Sequence, residues 1–176
     1  MKKNNKMTLK NLVIIAMLMA LEIVLARFCS IGTPTIRIGF GFVPMALCGM
    51  LFGPLWTGAC YGIADLLGAA LFSIGVNPLI VIARVCSGII FGLFLHRENL
   101  KFFPIMVLTT LCDQIICSLG ITTYALATIY GNTYIAMMII RLPQVCIMIV
   151  VQLVTFPILV QIRTALQKAH LLPDAA

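Results

Sequence analysis

With 176 residues, of which 62% are hydrophobic and only 10% charged, this chain is too apolar for a soluble globular domain. The composition predicts an all-α integral membrane protein whose partner is the lipid bilayer and whose residues 1–176 form a single domain. The formal net charge of +7 does not indicate nucleic-acid binding, because most of the excess is lysine near the chain ends and in a loop, where membrane proteins carry cytoplasmic positive charge.

Six apolar segments predict six transmembrane helices, since a spanning helix takes about 20 residues. They cover residues 9–27, 39–53, 55–73, 78–95, 104–130 and 134–162. Stop and start signals separate several neighbours, namely Gly53-Pro54, Asn77-Pro78 and Gly131-Asn132. The second segment is short and contains three helix-breaking residues, so its full crossing is left open. Pro143 predicts a kink in the sixth.

An even number of crossings places both termini on the same side of the membrane. Eight of the twelve basic residues then share that side: Lys2, Lys3, Lys6, Lys10, Arg97, Lys101, Arg163 and Lys168. Because positive residues concentrate on the cytoplasmic side, both termini are predicted to be cytoplasmic.

The remaining four basic residues are all arginines and lie in the outer half of the predicted topology: Arg27, Arg37, Arg84 and Arg141. An arginine at the centre of a bilayer costs roughly 2.5–3.5 kcal/mol on insertion scales, so such residues are usually functional. Guanidinium groups pair with carboxylates in two-point geometry. The four arginines together predict a pocket for an anion. For Arg27 and Arg37 the alternative is that their side chains extend to the lipid headgroups.

Two acidic residues, Asp65 and Asp113, lie within predicted spans three and five. A carboxylate inside a membrane must be paired, protonated or in contact with water. Asp65 shares a helix face with Tyr61, four residues earlier, which favours a ligand contact. Pairing between helices and proton coupling are the alternatives for both acids.

Two further patterns concern a loop outside the helices and the surface of the first helix. The outer loop FCSIGTPTIRIGFGF at 28–42 breaks any helix, and with Phe40 and Phe42 it suits a loop that caps a binding site. Ala16 and Ala20 form a small-xxx-small pattern, which permits close helix packing either within the chain or with a partner.

The sequence lacks the motifs of several enzyme classes. It contains no Walker A pattern, no HExxH, no DxxxD cluster and no GxSxG. The protein is therefore predicted not to be an enzyme, and neither a metal nor another cofactor is expected.

The stretches ALEIVLARFCSIGTPTIRIGFGFVPMALCGMLFGPLWTG, GIADLLGA and SGIIFGLFL resemble the substrate-binding (S) components of energy-coupling factor (ECF) vitamin transporters, specifically the folate group. RLPQVCIMIV at 141–150 is similar to that group's last helix. The resemblance implies a six-helix vitamin-binding subunit in the cell membrane of a prokaryote. It also implies a partner module of one membrane coupling protein and two ATPases, with Ala16 and Ala20 contacting the coupling protein.

For a folate-like ligand, side-chain chemistry predicts that Asp65 accepts hydrogen bonds from the pterin and that Tyr61, Phe40 or Phe42 stacks on its ring. Arg37, Arg84 or Arg141 then holds the carboxylate tail, and Gln144 adds a hydrogen bond. Arg27 and Asn77 complete the predicted binding set, because Asn77 lies in a loop that borders the pocket.

Other functions stay open at this point. The ligand is alternatively another anionic or heterocyclic vitamin, such as pantothenate or a purine-like compound. A proton-coupled carrier centred on Asp65 or Asp113, or a membrane-embedded enzyme acting on a lipid phosphate, is a less favoured alternative.

Overall fold

The computed structural model describes residues 9–32, 37–72, 77–96 and 102–168, without the side chains of residues 31, 32, 37, 102 and 166–168. These residues form one bundle of helices. Five of the basic residues used for the topology prediction lie outside the described residues, namely Lys2, Lys3, Lys6, Arg97 and Lys101.

The bundle contains six helical spans, as predicted. In chain order the elements are α1 (Leu9–Phe28), β1 (Ile31–Gly32), β2 (Arg37–Ile38), α2 (Phe42–Phe52), α3 (Pro54–Leu71), α4 (Pro78–Leu95), α5 (Phe102–Cys112), a π-helical segment (Asp113–Thr122), α6 (Thr123–Tyr130) and α7 (Tyr134–Lys168). The π segment joins α5 to α6 without a break, so these three elements form the fifth span. Large apolar side chains cover the outer surface of the bundle, as expected where it faces lipid.

The spans differ in length. Four are long and apolar enough to cross a membrane on their own: α1, α4, the fifth span and α7. The 18 residues of α3 extend about 27 Å. The 11 residues of α2 extend only about 16 Å, well short of a hydrocarbon core of about 30 Å. Taken alone, α2 is therefore shorter than the hydrocarbon core, and a full crossing by the second span stays a prediction.

Helix boundaries follow the predicted signals. Gly53 adopts a φ of 81°, which a residue with a side chain rarely accepts, and Pro54 then begins α3. The side chain of Asn77 accepts a hydrogen bond of 2.9 Å from the backbone N–H of Leu79 and so caps α4. Gly131, in the left-handed conformation, ends α6.

Glycines allow α3 and α4 to pack with their backbones in contact. A Cβ atom on Gly92 would overlap the backbone of Pro54, and one on Gly88 would lie 2.7 Å from the carbonyl oxygen of Thr57. Because backbone atoms cannot move aside as a side chain can, α2, α3 and α4 form a closely packed unit.

The apolar core occupies the half of the bundle where α2, the end of α4, α5 and the second half of α7 meet. Met45, Met50, Phe91 and Phe156 are each at most 1% exposed. The ring of Phe156 packs edge-on against those of Phe42 and Phe91, with centroids 6.2 and 6.1 Å away. This packing leaves the opposite half of the bundle free for a cavity.

Two local features add detail to the prediction. The loop after α1 contains a two-residue antiparallel strand pair, in which Ile31 faces Ile38. The 35-residue α7 continues through Pro143 and Pro157, so neither proline ends the helix although each lacks a backbone N–H donor.

Candidate binding site

A cavity of about 690 Å³ opens in the half of the bundle opposite the core. Its volume falls within the roughly 300–1,000 Å³ range of sites for drug-sized ligands. Its walls come from α1, α3, α4, the π segment, α6 and α7, together with the turn before α2. Eight of the predicted binding residues line it: Arg27, Phe42, Tyr61, Asp65, Asn77, Arg84, Arg141 and Gln144.

Two predicted residues are not among those that line the cavity. Phe40 lies in the turn before α2, where its carbonyl accepts a hydrogen bond from the N–H of Val43, and its side chain is 46% exposed. Of the three predicted stacking residues, Tyr61 and Phe42 line the cavity, and a contact between Phe40 and the ligand stays a prediction. Arg37 belongs to β2, and its side chain lies outside the described residues.

Arg84 lies at the centre of a polar group formed by α3 and α4. Its Nη1 donates a hydrogen bond of 3.0 Å to the hydroxyl oxygen of Tyr61, and its Cζ lies 5.4 Å from the centroid of the Tyr61 ring. Its Nε is 3.7 Å from Oδ1 of Asp65. Tyr61 and Asp65 are four residues apart on α3, so one helix face holds the guanidinium from two sides.

Arg141 is buried, with 4% of its side chain exposed, and donates only to uncharged acceptors. Its Nη1 donates to the carbonyl oxygen of Ser118 at 3.0 Å and to Oγ1 of Thr123 at 2.9 Å. Its Nε donates to Oε1 of Gln144 at 3.3 Å. These contacts fix the guanidinium while leaving its positive charge without a carboxylate partner among the described residues.

The π segment supplies one wall of the cavity. Its wider hydrogen-bonded turn brings residues four and five apart onto a common face. The five that line the cavity follow that spacing: Asp113, Gln114, Cys117, Ser118 and Thr122. The sequence prediction of a continuous fifth span contains no sign of this segment.

Arg27 reaches the cavity from the end of α1. Its Cζ lies 5.8 Å from the centroid of the Phe72 ring. A Cβ atom on Gly68 would lie 3.1 Å from Nη2 of Arg27, so the absence of a side chain at Gly68 lets the guanidinium rest on α3. Within the described part of the chain, no carboxylate lies within ion-pair distance of Arg27.

Asp113 is held by two amides. Oδ2 of Asp113 accepts hydrogen bonds from Nε2 of Gln152 at 3.2 Å and from Nε2 of Gln114 at 3.3 Å. All three side chains are buried and line the cavity. Asp113 had no predicted role in binding, and neither glutamine was in the predicted set, although an uncharged polar residue inside an apolar span is itself a signal.

Glu22 is the main omission from the predicted set. It lies in α1, lines the cavity and is 4% exposed. Among the described residues, the cavity is thus lined by three acidic side chains, those of Glu22, Asp65 and Asp113, and by three basic ones, those of Arg27, Arg84 and Arg141. A carboxylate within an apolar span was a signal for it.

Ala16 and Ala20 of α1 are both exposed, whereas Glu22 of the same helix is buried. Val13, Met17 and neighbouring apolar residues continue this exposed stripe. The two alanines therefore do not mediate packing within the described bundle.

Comparison with known proteins identifies the group to which this fold and cavity belong. The sequence model of the family described as ECF transporter, substrate-specific component, matches residues 10–160. The chain belongs to this family of ECF transporter S components. The resemblance noted from the quoted sequence stretches is thereby confirmed, and the protein is a membrane transport component rather than an enzyme.

Several relatives of this S component carry a more specific name. A protein of Clostridium novyi (strain NT) named Folate transporter FolT is 33% identical over 149 residues, which cover 84% of this chain and 83% of the relative. A protein of the same name from Leuconostoc mesenteroides subsp. mesenteroides is 28% identical over 131 residues, covering 73% and 70%. The structure titled "Crystal structure of FolT bound with folic acid" superimposes with a TM-score of 0.78 at 28% identity, covering 84% of this chain and 90% of that one.

Proposed function

We propose that this S component binds folate at the outer face of the cell membrane and delivers it to an ECF module of one coupling protein and two ATPases. Support comes from the two relatives named Folate transporter FolT and from the fold shared with FolT bound to folic acid. The cavity of about 690 Å³ provides the space that such a ligand needs.

The observation that carries this proposal is that two arginines of the cavity have no ion-pair partner among the described residues. Among the described residues, no carboxylate lies within ion-pair distance of the half-buried Arg27 or the buried Arg141, and both line the cavity. A buried guanidinium without a counter-ion is a strong site for a carboxylate. The glutamate tail of folate carries two carboxylates, and we assign them to these arginines, with Arg84, also facing the cavity, as a further donor. Gln144 is bonded to Arg141 and supports that guanidinium.

The ring of folate is assigned to the aromatic part of the cavity. Tyr61 and Phe42 both line it, and either offers a flat apolar face to a pterin. Asp65, predicted as an acceptor for the pterin, already pairs with Arg84, so a direct contact with the ligand stays a prediction. Asn77, whose side chain caps α4, lines the same rim.

The exposed alanine stripe of α1 is the surface that we assign to the coupling protein. Small residues let a second helix approach closely in a membrane, and Ala16 and Ala20 have no partner helix within the described bundle. With six spans, both termini are cytoplasmic in this proposal, and the cavity opens to the outside.

Calorimetry of the purified protein with folic acid, without any partner protein, tests the binding part of this proposal. We expect saturable binding at one site per chain. A titration with pantothenate serves as the control, because it is also an anionic vitamin but lacks the pterin and the second carboxylate. Tight binding of pantothenate and none of folic acid would contradict the assignment.

A further inference from the structure

Glu22 stands apart from the other acids of the cavity because it makes no hydrogen bond or ion pair with a described residue, although the charges of Arg84 and Arg27 act on it from a greater distance. Asp65 pairs with Arg84, and Asp113 accepts two amide hydrogen bonds. Glu22 is 96% buried and lines the cavity, yet within the described ranges it takes part in no hydrogen bond or ion pair. A buried carboxylate without a partner is costly, particularly in a membrane protein.

The surroundings of Glu22 leave room for this side chain. A Cβ atom on Gly41 would lie 3.3 Å from Oε1 of Glu22 and 3.0 Å from Cβ of Ala26. Because Gly41 has no side chain, the turn before α2 can close over this face of α1 without displacing the carboxylate. Gly41 and Ala26 line the cavity beside Glu22, so the acid belongs to the cavity wall.

A carboxylate in this position accepts hydrogen bonds and donates none when ionised. Its two oxygens match a group in which a ring N–H and an amino group are attached to the same carbon, because the two N–H bonds are then parallel, as in an arginine–carboxylate pair. The pterin ring of folate contains this arrangement in its N3–H and its 2-amino group.

We propose that Glu22 is the residue that recognises the 2-amino, N3–H edge of the pterin and thereby selects for the ring of the ligand. This inference rests on the proposed function, which it deepens by assigning the two ends of the ligand. The arginines hold the anionic tail, and the free acid of α1 holds the donor edge of the ring. Asp65 then acts through Arg84 rather than on the pterin.

The experiment compares folic acid with an analogue whose 2-amino group is replaced by a methyl group. Both are titrated into purified wild-type protein, the Glu22→Gln variant and the Asp65→Asn variant. We expect wild type to bind folic acid about 10- to 100-fold more tightly than the analogue, since a hydrogen bond to a charged group is lost. In Glu22→Gln the preference should shrink to a few-fold, whereas Asp65→Asn should weaken both ligands by a similar factor and keep the preference.

Each result decides between these assignments. Equal binding of the two ligands by wild type overturns the proposal without any variant, which covers the case in which Glu22→Gln fails to fold. A preference that persists in Glu22→Gln but disappears in Asp65→Asn gives the role to Asp65. If wild type binds neither ligand, the proposed function itself fails, and the assignment of Glu22 fails with it.

Discussion

Arg141 shows how a buried charge can be fixed in place without being neutralised. Its donors are directed at Ser118, Thr123 and Gln144, all of them uncharged. The side chain is thereby held in one geometry before the ligand arrives, which reduces the entropy lost on binding. Arg84 is held in a different way, because the carboxylate of Asp65 partly neutralises its positive charge.

Replacing Arg141 with methionine should lower the affinity for folic acid by about 10- to 100-fold, because a charged hydrogen-bond donor is lost from a buried site. Arg141→Lys should restore only part of this loss, since an ammonium group lacks the planar set of donors that reaches three acceptors at once. Calorimetry measures both variants, and thermal unfolding checks that they fold.

The matched control for this change is Lys10→Met, which removes the same charge from an exposed position near the start of α1. It should bind folic acid as wild type does. Equal affinities of Arg141→Met and Lys10→Met would show that Arg141 does not contact the ligand.

At the scale of whole elements, two successive stretches of α1 have different roles. Glu22, Ala26 and Arg27 face the cavity, whereas Ala16 and Ala20 lie on the exposed stripe. A single helix therefore joins the ligand site to the surface proposed for the coupling protein, and the two functions can be separated by substitution.

Ala16→Leu together with Ala20→Leu should leave folate binding unchanged and should abolish or strongly reduce ATP-driven uptake, because larger side chains prevent close approach of a partner helix. Uptake into vesicles that contain the ECF module measures this, with calorimetry for binding. The control is Ala136→Leu, an equally apolar change at an exposed position on α7. Wild-type uptake by the double variant would rule out this surface.

The contact between α3 and α4 makes a prediction about stability. Gly92→Ala places a methyl group against the backbone of Pro54, so we expect a loss of at least about 1–3 kcal/mol, seen as a lower unfolding temperature. Gly120→Ala is the control, because its Cβ atom would approach no atom closer than 3.5 Å. Similar unfolding temperatures for the two variants would contradict the close packing of this pair.

For the molecule as a whole, the described residues that line the cavity balance in charge, three acidic against three basic, although the chain carries a net +7. The predicted topology places eight of the twelve basic residues on the cytoplasmic side, away from the proposed binding site. Recognition of an anion depends on where the arginines lack partners rather than on a general excess of positive charge.

The predicted orientation can be tested in intact cells with a membrane-impermeant maleimide. In a background in which the exposed Cys29 and Cys146 are replaced by serine, Asn132→Cys should be labelled from outside and Ala175→Cys only after lysis. Labelling of Ala175→Cys in intact cells would contradict cytoplasmic termini.

The number of helices, several of their boundaries and eight of the residues that line the cavity were accessible from the sequence, because local rules control them. The length of an apolar segment determines whether it can span the membrane, and Gly53-Pro54 and Asn77-Pro78 mark helix ends. An arginine within an apolar span is costly, so it indicates a functional site whichever residues surround it. These properties depend on residues adjacent in the chain and on the solvent around it.

Only the tertiary structure decided which charges are paired and which side chains share the cavity. Asp65 pairs with Arg84 from the next helix, Glu22 makes no hydrogen bond or ion pair with a described residue, and Phe40 is not among the residues that line the cavity. The π segment likewise brings Asp113 and Ser118 to one face. Pairing depends on the rotation of each helix about its axis and on contacts between residues distant in sequence, and packing of the whole bundle sets both.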